Sequence, residues 1–219
     1  MQHVVISEPF KQTCPQLALG LISCSVTNSA SDSGLWQEIA AVEAEFKASY
    51  PIEQINKIPT IQATRQAYKA FGKDPNRYRP SAEALCRRIL KGMELYRINT
   101  LVDLINLVSI RTGYSIGGFD EDKIVGNITL TVGTADDVFE GIGRGLLNIE
   151  GLPVYKDSVG GIGTPTSDNE RTKLSQETTR LFMIINGYSG KVGLQEAIDY
   201  SVQLLDKYAN ATGVEVLTL

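Results

Sequence analysis

Two hydrophobic periods divide this chain, and together they limit what it can fold into. Trp36, Ile39, Ala40, Val42 and Phe46 fall on one helical face, with acidic residues opposite. Leu101, Leu104, Ile105 and Val108 repeat that spacing. Beyond Asn127 the pattern becomes short and β-branched. Ile128–Val132 alternates, and Val154–Lys156 and Leu181–Ile185 are brief apolar runs set between glycine-rich turns. With no internal repeat and no low-complexity linker, the pattern predicts one mixed α/β (α+β) domain, a mixed sheet flanked by helices.

The punctuation sets the expected elements. Strands are expected at Val4–Ile6 and Leu17–Val26, followed by a turn and cap cluster at Asn28–Gly34. Helices are expected at Trp36–Tyr50, Thr60–Phe71, Ala82–Leu90 with Ser81 as cap, Leu101–Arg111 and Leu194–Tyr208. Val214–Leu219 reads as a closing strand. The three apolar runs of the second half are expected to share one sheet. Residues 1–219 are read as one domain, with 1–75 a helix-rich flank and 76–219 the core.

Composition excludes much chemistry. His3 is the only histidine among 219 residues. A Ser-His-Asp triad, a Cys-His dyad and a His-based zinc site would all depend on a residue at the end of the chain. Cys14, Cys24 and Cys86 are odd in number and lack C-x-x-C spacing, so neither a disulfide framework nor structural zinc is expected. The longest apolar stretch, Leu17–Cys24, is too short to cross a bilayer. The first residues carry no basic-then-apolar leader pattern. The expectation is a cytoplasmic protein with no membrane partner, no metal and no cofactor.

Charge is uneven. The chain carries a formal −4, yet Arg77–Arg97 holds six basic residues and two acidic ones. Glu83 and Arg87 make an ordinary i,i+4 pair, and the whole stripe can be a solvated face. Its functional alternative is a phosphate-contacting surface. Gly141–Gly145 lacks the strand-before, helix-after setting of a dinucleotide loop. Gly160–Gly163 reads either as a place where backbone N–H groups meet a ligand or as a tight turn between strands. The polar loop Thr164–Lys173, with Asp168, Glu170, Arg171 and Lys173, binds or merely turns. Asn106 interrupts an apolar helix, where a buried amide must find partners, in the fold or in a ligand.

The order of motifs is more specific than any one of them. Arg79-Pro-Ser-Ala-Glu-Ala-Leu85, Arg97-Ile-Asn-Thr-Leu-Val-Asp-Leu-Ile-Asn106, Ile116-Gly-Gly-Phe-Asp120 and Ile124-Val-Gly126 follow in succession. Together they resemble the B3/B4 domain of the bacterial phenylalanyl-tRNA synthetase β subunit, and more closely the free-standing B3/B4 proteins. The resemblance covers about Pro80 to Asn186.

That resemblance implies an α/β domain acting in trans on misacylated tRNA, releasing a wrongly attached amino acid by ester hydrolysis. Such a reaction runs by positioning and electrostatics, without a Ser nucleophile or metal. It implies that Asn106 lies in the pocket for the amino-acid moiety, and that Gly160 and Gly161 present backbone to the substrate. Gly117 stands where the family keeps a pocket histidine, with Gly118 beside it. No acid stands near Ile184–Asn186, where the family reads a tyrosine hydroxyl, so a tyrosine editor is not expected. Asn106, Gly117 and Thr164 are therefore the expected catalytic positions, and Gly118, Gly160, Gly161 and Asn186 the substrate-binding ones. Arg79, Arg87, Arg88 and Lys91 are expected to meet the tRNA acceptor end, with Tyr78 and Tyr96 the nearest stacking aromatics. Two alternatives stand beside this reading: a non-catalytic module binding tRNA or an amino acid, and a small-ester hydrolase reusing the pocket.

Overall fold

The computed structural model describes residues 1–219 and contains two four-stranded sheets that share a core. The first, in order β1-β4-β7-β8, is built from β1 (Val4–Ile6), β4 (Ile128–Val132), β7 (Pro153–Lys156) and β8 (Gly161–Gly163). Its β1–β4 pair is parallel and its other pairs antiparallel. The second is antiparallel throughout, in order β10-β2-β9-β3. Its strands are β10 (Thr212–Thr218), β2 (Ala18–Ser25), β9 (Arg180–Gly187) and β3 (Ile116–Asp120).

Strand alternation assigns the faces of this second sheet. Leu19 and Leu21 of β2, Phe182 and Ile184 of β9 and Phe119 of β3 point toward the first sheet, against Leu130, Tyr155 and Ile162. Ala18, Ile22 and Cys24, with Leu181, Met183 and Ile185, point the other way into a helical layer. That layer comprises α2 (Ser33–Ser49), α4 (Ser81–Leu90), α5 (Thr100–Thr112) and α6 (Leu194–Ala209). Two further helices, α1 (Glu8–Thr13) and α3 (Pro59–Ala70), send Phe10 and Ala67 into the core between the sheets.

Helix α5 is central because it is apolar nearly all round. Leu101, Leu104, Leu107 and Val108 are fully buried. Its ends are set by local chemistry. Asn99 Oδ1 accepts a hydrogen bond from Val102 N–H at 3.0 Å, and Gly113 closes the helix at φ 72.

The structure corrects several expectations. Leu181–Ile185 does not share a sheet with Ile128–Val132 and Val154–Lys156; it lies in β9, one of the two inner strands of the other sheet. An apolar run reports burial on both faces and says nothing of which neighbours bury it. Residues 1–75 are more than a helix-rich flank, since β1 joins the first sheet and β2 sits between β10 and β9. Strand β3 was hidden by its paired glycines, which weaken β-propensity. Helix α1 occupies a connection that its proline made look irregular, and Pro9 is tolerated because it falls in the first turn.

Candidate functional site

The first turns of α4, the middle of α5, strand β3 and the loop after β8 enclose a cavity of about 380 Å³. Leu85, Val102, Ile105, Ile116, Ile142 and Leu174 give it aliphatic walls, and Ser81, Asn106, Ser109, Thr164, Ser167, Asp168 and Lys173 add polar groups. Helical spacing brings Val102, Asn106 and Ser109 to one face of α5, which forms one wall of the cavity, with Ile116 and Gly118 of β3 also lining it.

The loop that forms the opposite wall is well tethered. Thr164 Oγ1 accepts from the N–H groups of Thr166 and Ser167 at 3.2 and 3.1 Å. Pro165 carbonyl accepts from Ser81 N–H at 2.8 Å, joining the loop to the start of α4. The hydroxyls of Thr166 and Tyr68 meet at 2.9 Å beneath it. A short hairpin, β5 (Glu140–Gly141) and β6 (Gly145–Leu146), leans over the loop, and Ile142 N–H reaches Asp168 carbonyl at 3.1 Å.

Asp168 gives the cavity its electrostatic character. Its Oδ2 accepts the Gly118 N–H at 3.2 Å, the one hydrogen bond its carboxylate makes. Desolvation pushes the carboxyl up to about 7, opposed by that bond. The other cavity-lining charge, Lys173, pairs with Glu170 instead. The carboxylate fits because Gly163 has no side chain: a Cβ there would lie 2.7 Å from Asp168 Oδ1.

The expected site residues divide. Asn106, Gly118 and Thr164 line the cavity. Asn106 makes no side-chain hydrogen bond within the chain, whereas Thr164 is occupied in its own turn. Gly117 is not among the lining residues, and a Cβ there would lie 2.7 Å from the Phe119 ring and 3.5 Å from Asp168 Oδ1. Asn186 is buried, accepting from Tyr155 Oη at 2.6 Å and donating to Ser115 carbonyl at 2.8 Å. Gly160 N–H is taken by Asp157 Oδ1 at 3.1 Å, in the turn joining β7 to β8, and Gly161 packs on Phe139. Neither glycine is among the cavity-lining residues.

The basic stripe divides as well. Glu83, 1% exposed, gathers Arg65 Nη1 and Arg87 Nε, each at 2.8 Å, with Arg79 Nε at 3.8 Å. Arg88 instead lies 4.1 Å over the ring of Tyr96, which is 67% exposed, and Lys91 is exposed. Ile98 lines the cavity while 53% exposed, so the segment carrying Tyr96 runs to the cavity mouth.

Comparison with known proteins agrees with this architecture. A family model described as the B3/4 domain matches residues 63–210. The chain belongs to the B3/4 domain family. Among curated proteins, this B3/4 protein is similar to the phenylalanine–tRNA ligase beta subunit of Fusobacterium nucleatum subsp. nucleatum, 22% identical over 204 residues. That alignment covers 86% of this chain and 25% of the relative. Among solved structures it resembles an N-terminal fragment of the phenylalanyl-tRNA synthetase β-subunit from Pyrococcus horikoshii, at TM-score 0.50 and 17% identity. The match takes in 98% of this chain and 50% of that one, and it shows a shared fold. The B3/4 chain thus spans a quarter of the length of its curated relative.

Sequence reasoning placed Asp168 in a polar loop without singling it out, gave Ser81 only a capping role that Pro80 holds instead, and passed over Ser109. Asp168 had one available signal, a carboxylate five residues after Gly163 in an otherwise hydroxyl-rich turn. The two serines had none, since only packing turns them into the cavity.

Proposed function

We propose that this B3/4 domain protein is a trans-acting aminoacyl-tRNA deacylase. The observation that carries the proposal is the cavity of about 380 Å³, polar at Asp168 and along α5 and aliphatic elsewhere, with the half-exposed Ile98 at its edge. That volume lies in the range of small-ligand sites. In the proposed reaction a water oxygen adds to the aminoacyl carbonyl carbon. The ester C–O bond breaks, and the ribose oxygen leaves as a hydroxyl, assisted by its vicinal neighbour. Asn106, whose amide makes no hydrogen bond within the chain, is available to hold the aminoacyl carbonyl. The exposed Lys91 and Tyr96, with the half-buried Arg88 held against the Tyr96 ring and the Glu94 carbonyl, supply charge and a stacking face for the acceptor end. Cytoplasmic tRNA is the partner this reading requires, and no helix of the chain is long and apolar enough to cross a membrane.

Gly117, standing where the resemblance expects a histidine, favours a second reading, a non-catalytic module that binds tRNA or an amino acid. A panel of misacylated tRNAs separates the two. Release of amino acid above the buffer rate supports the deacylase. Salt-sensitive tRNA retention without turnover supports the binding module. Equal release from aminoacyl esters lacking tRNA would identify a small-ester hydrolase instead.

A further inference from the structure

Asp168 stands in a mostly aliphatic cavity with only one of its oxygens engaged. Oδ2 holds the Gly118 N–H, no Lys or Arg pairs with the carboxylate, and Lys173 is turned to Glu170. Asp168 is half-buried, and a carboxylate partly withdrawn from water without a counter-ion is costly to ionise, so such a group either stays protonated or meets a cation supplied by a ligand. The rest of the cavity narrows the kind of cation. Across from the carboxylate side, α5 presents the Asn106 amide and the Ser109 hydroxyl, and α4 presents the Ser81 hydroxyl. None of these three makes a side-chain hydrogen bond within the chain, so all are free to donate to a carbonyl oxygen. Between these groups lie Leu85, Val102, Ile105 and Leu174. An anionic point, a set of hydrogen-bond donors and an aliphatic lining match the three parts of an α-aminoacyl group: ammonium, carbonyl and side chain.

We infer that Asp168 anchors the free α-ammonium of an aminoacyl ligand, so that the cavity takes α-aminoacyl groups and rejects their N-acylated forms. The inference deepens the deacylase reading and rests on it only for the identity of the natural ligand. Gly163 is part of the device. A Cβ at Gly163 would crowd Asp168 Oδ1 at 2.7 Å, while one at Gly117 would lie in ordinary contact with it at 3.5 Å. A bound ammonium would also draw the carboxyl back down from its raised value, restoring a paired charge. An N-acyl group removes the cation and adds bulk against the carboxylate, so discrimination combines lost attraction with a clash.

The test uses L-leucinamide and N-acetyl-L-leucinamide as probes, titrated into the full chain and into Asp168→Asn while backbone amide resonances are followed by NMR. The carboxamide of the variant keeps an acceptor for the Gly118 N–H, and thermal unfolding checks that the variant is folded. Binding of L-leucinamide should shift the resonances of Gly118 and Asn106. It should weaken at least about tenfold on N-acetylation and by a similar factor in Asp168→Asn, the worth of one charge-assisted hydrogen bond. Equal affinity for the two probes, an unchanged affinity in the variant, or no binding to the wild type would each overturn the inference. Turnover is scored separately with leucyl-tRNA and N-acetyl-leucyl-tRNA. If neither is hydrolysed while L-leucinamide binds through Asp168, the ammonium site stands and the deacylase reading falls. If both are hydrolysed at the same rate, the deacylase stands and the ammonium site falls.

Discussion

Gly118 donates its backbone N–H to Asp168 Oδ2 at 3.2 Å, tying the first glycine-rich motif of the chain to a loop fifty residues later. The bond places a carboxylate at the junction of the two sheets, next to the helix that carries Asn106. The desolvation that makes the site unusual also makes it measurable.

Asp168 predicts a pH dependence of stability. Its folded value is raised from 3.8 to about 7. Below about pH 4 folded and unfolded chains both hold the proton. Between about pH 4 and 7 the unfolded chain releases it first, so stability falls as pH rises, and above about 7 the loss is complete. Urea unfolding at pH 4 and pH 8 should show Asp168→Asn gaining on the wild type at the higher pH. A difference that does not change with pH would remove the burial argument.

Asn106 predicts a separation of activity from stability. Its amide makes no hydrogen bond inside the protein, so Asn106→Ala should leave the unfolding free energy within about 0.5 kcal/mol. Release of amino acid from a misacylated tRNA should fall at least about tenfold, through lost contact with the aminoacyl carbonyl. Unchanged hydrolysis would remove Asn106 from the site.

Gly117→His places the family's residue back where the resemblance expects it, and the structure predicts harm. The new Cβ would lie 2.7 Å from the buried Phe119 ring. Overpacking of this kind costs about 1–3 kcal/mol, visible as an earlier urea midpoint. Deacylation should not rise, because the Phe119 ring leaves an imidazole at position 117 no room without displacing the core.

Glu83 predicts a structural role for much of the basic stripe. Removing its charge leaves Arg65 and Arg87 facing each other without a counter-ion. Glu83→Gln should therefore destabilise the fold by about 3 kcal/mol in chemical denaturation, the scale for breaking a buried pair.

Lys91 predicts the opposite. It is exposed and forms no ion pair, so Lys91→Ala should leave stability unchanged. In filter binding, the slope of log affinity for tRNA against log salt should shrink by about 1, the signature of one phosphate contact. An unaltered slope would place the tRNA elsewhere.

Much of the fold was legible because burial leaves a periodic mark. The stripe Leu101, Leu104, Ile105, Val108 announced α5, and the β-branched ITLTV run announced β4. Strand β3 was illegible for a physical reason: Gly117 and Gly118 are there because Phe119 and Ile105 fill the space their side chains would need. Close packing removed the residues that normally advertise a strand. The site was legible to the same degree. Asn106 stood out as a polar residue in an apolar helix, whereas Gly160 looked like a ligand turn until Asp157 was seen to occupy its N–H.

The sequence by itself determined the mixed architecture, the helical elements that build one layer, the exclusion of histidine-based hydrolytic chemistry and the B3/B4 resemblance. All of these follow from local composition and spacing. Tertiary structure alone decided which sheet each apolar run joined, which arginines were already spent on Glu83, and which polar groups faced the cavity. Those outcomes depend on partners distant in sequence. A lone aspartate in a loop acquires its character only when Gly118 and the surrounding aliphatic walls partly shield it from water.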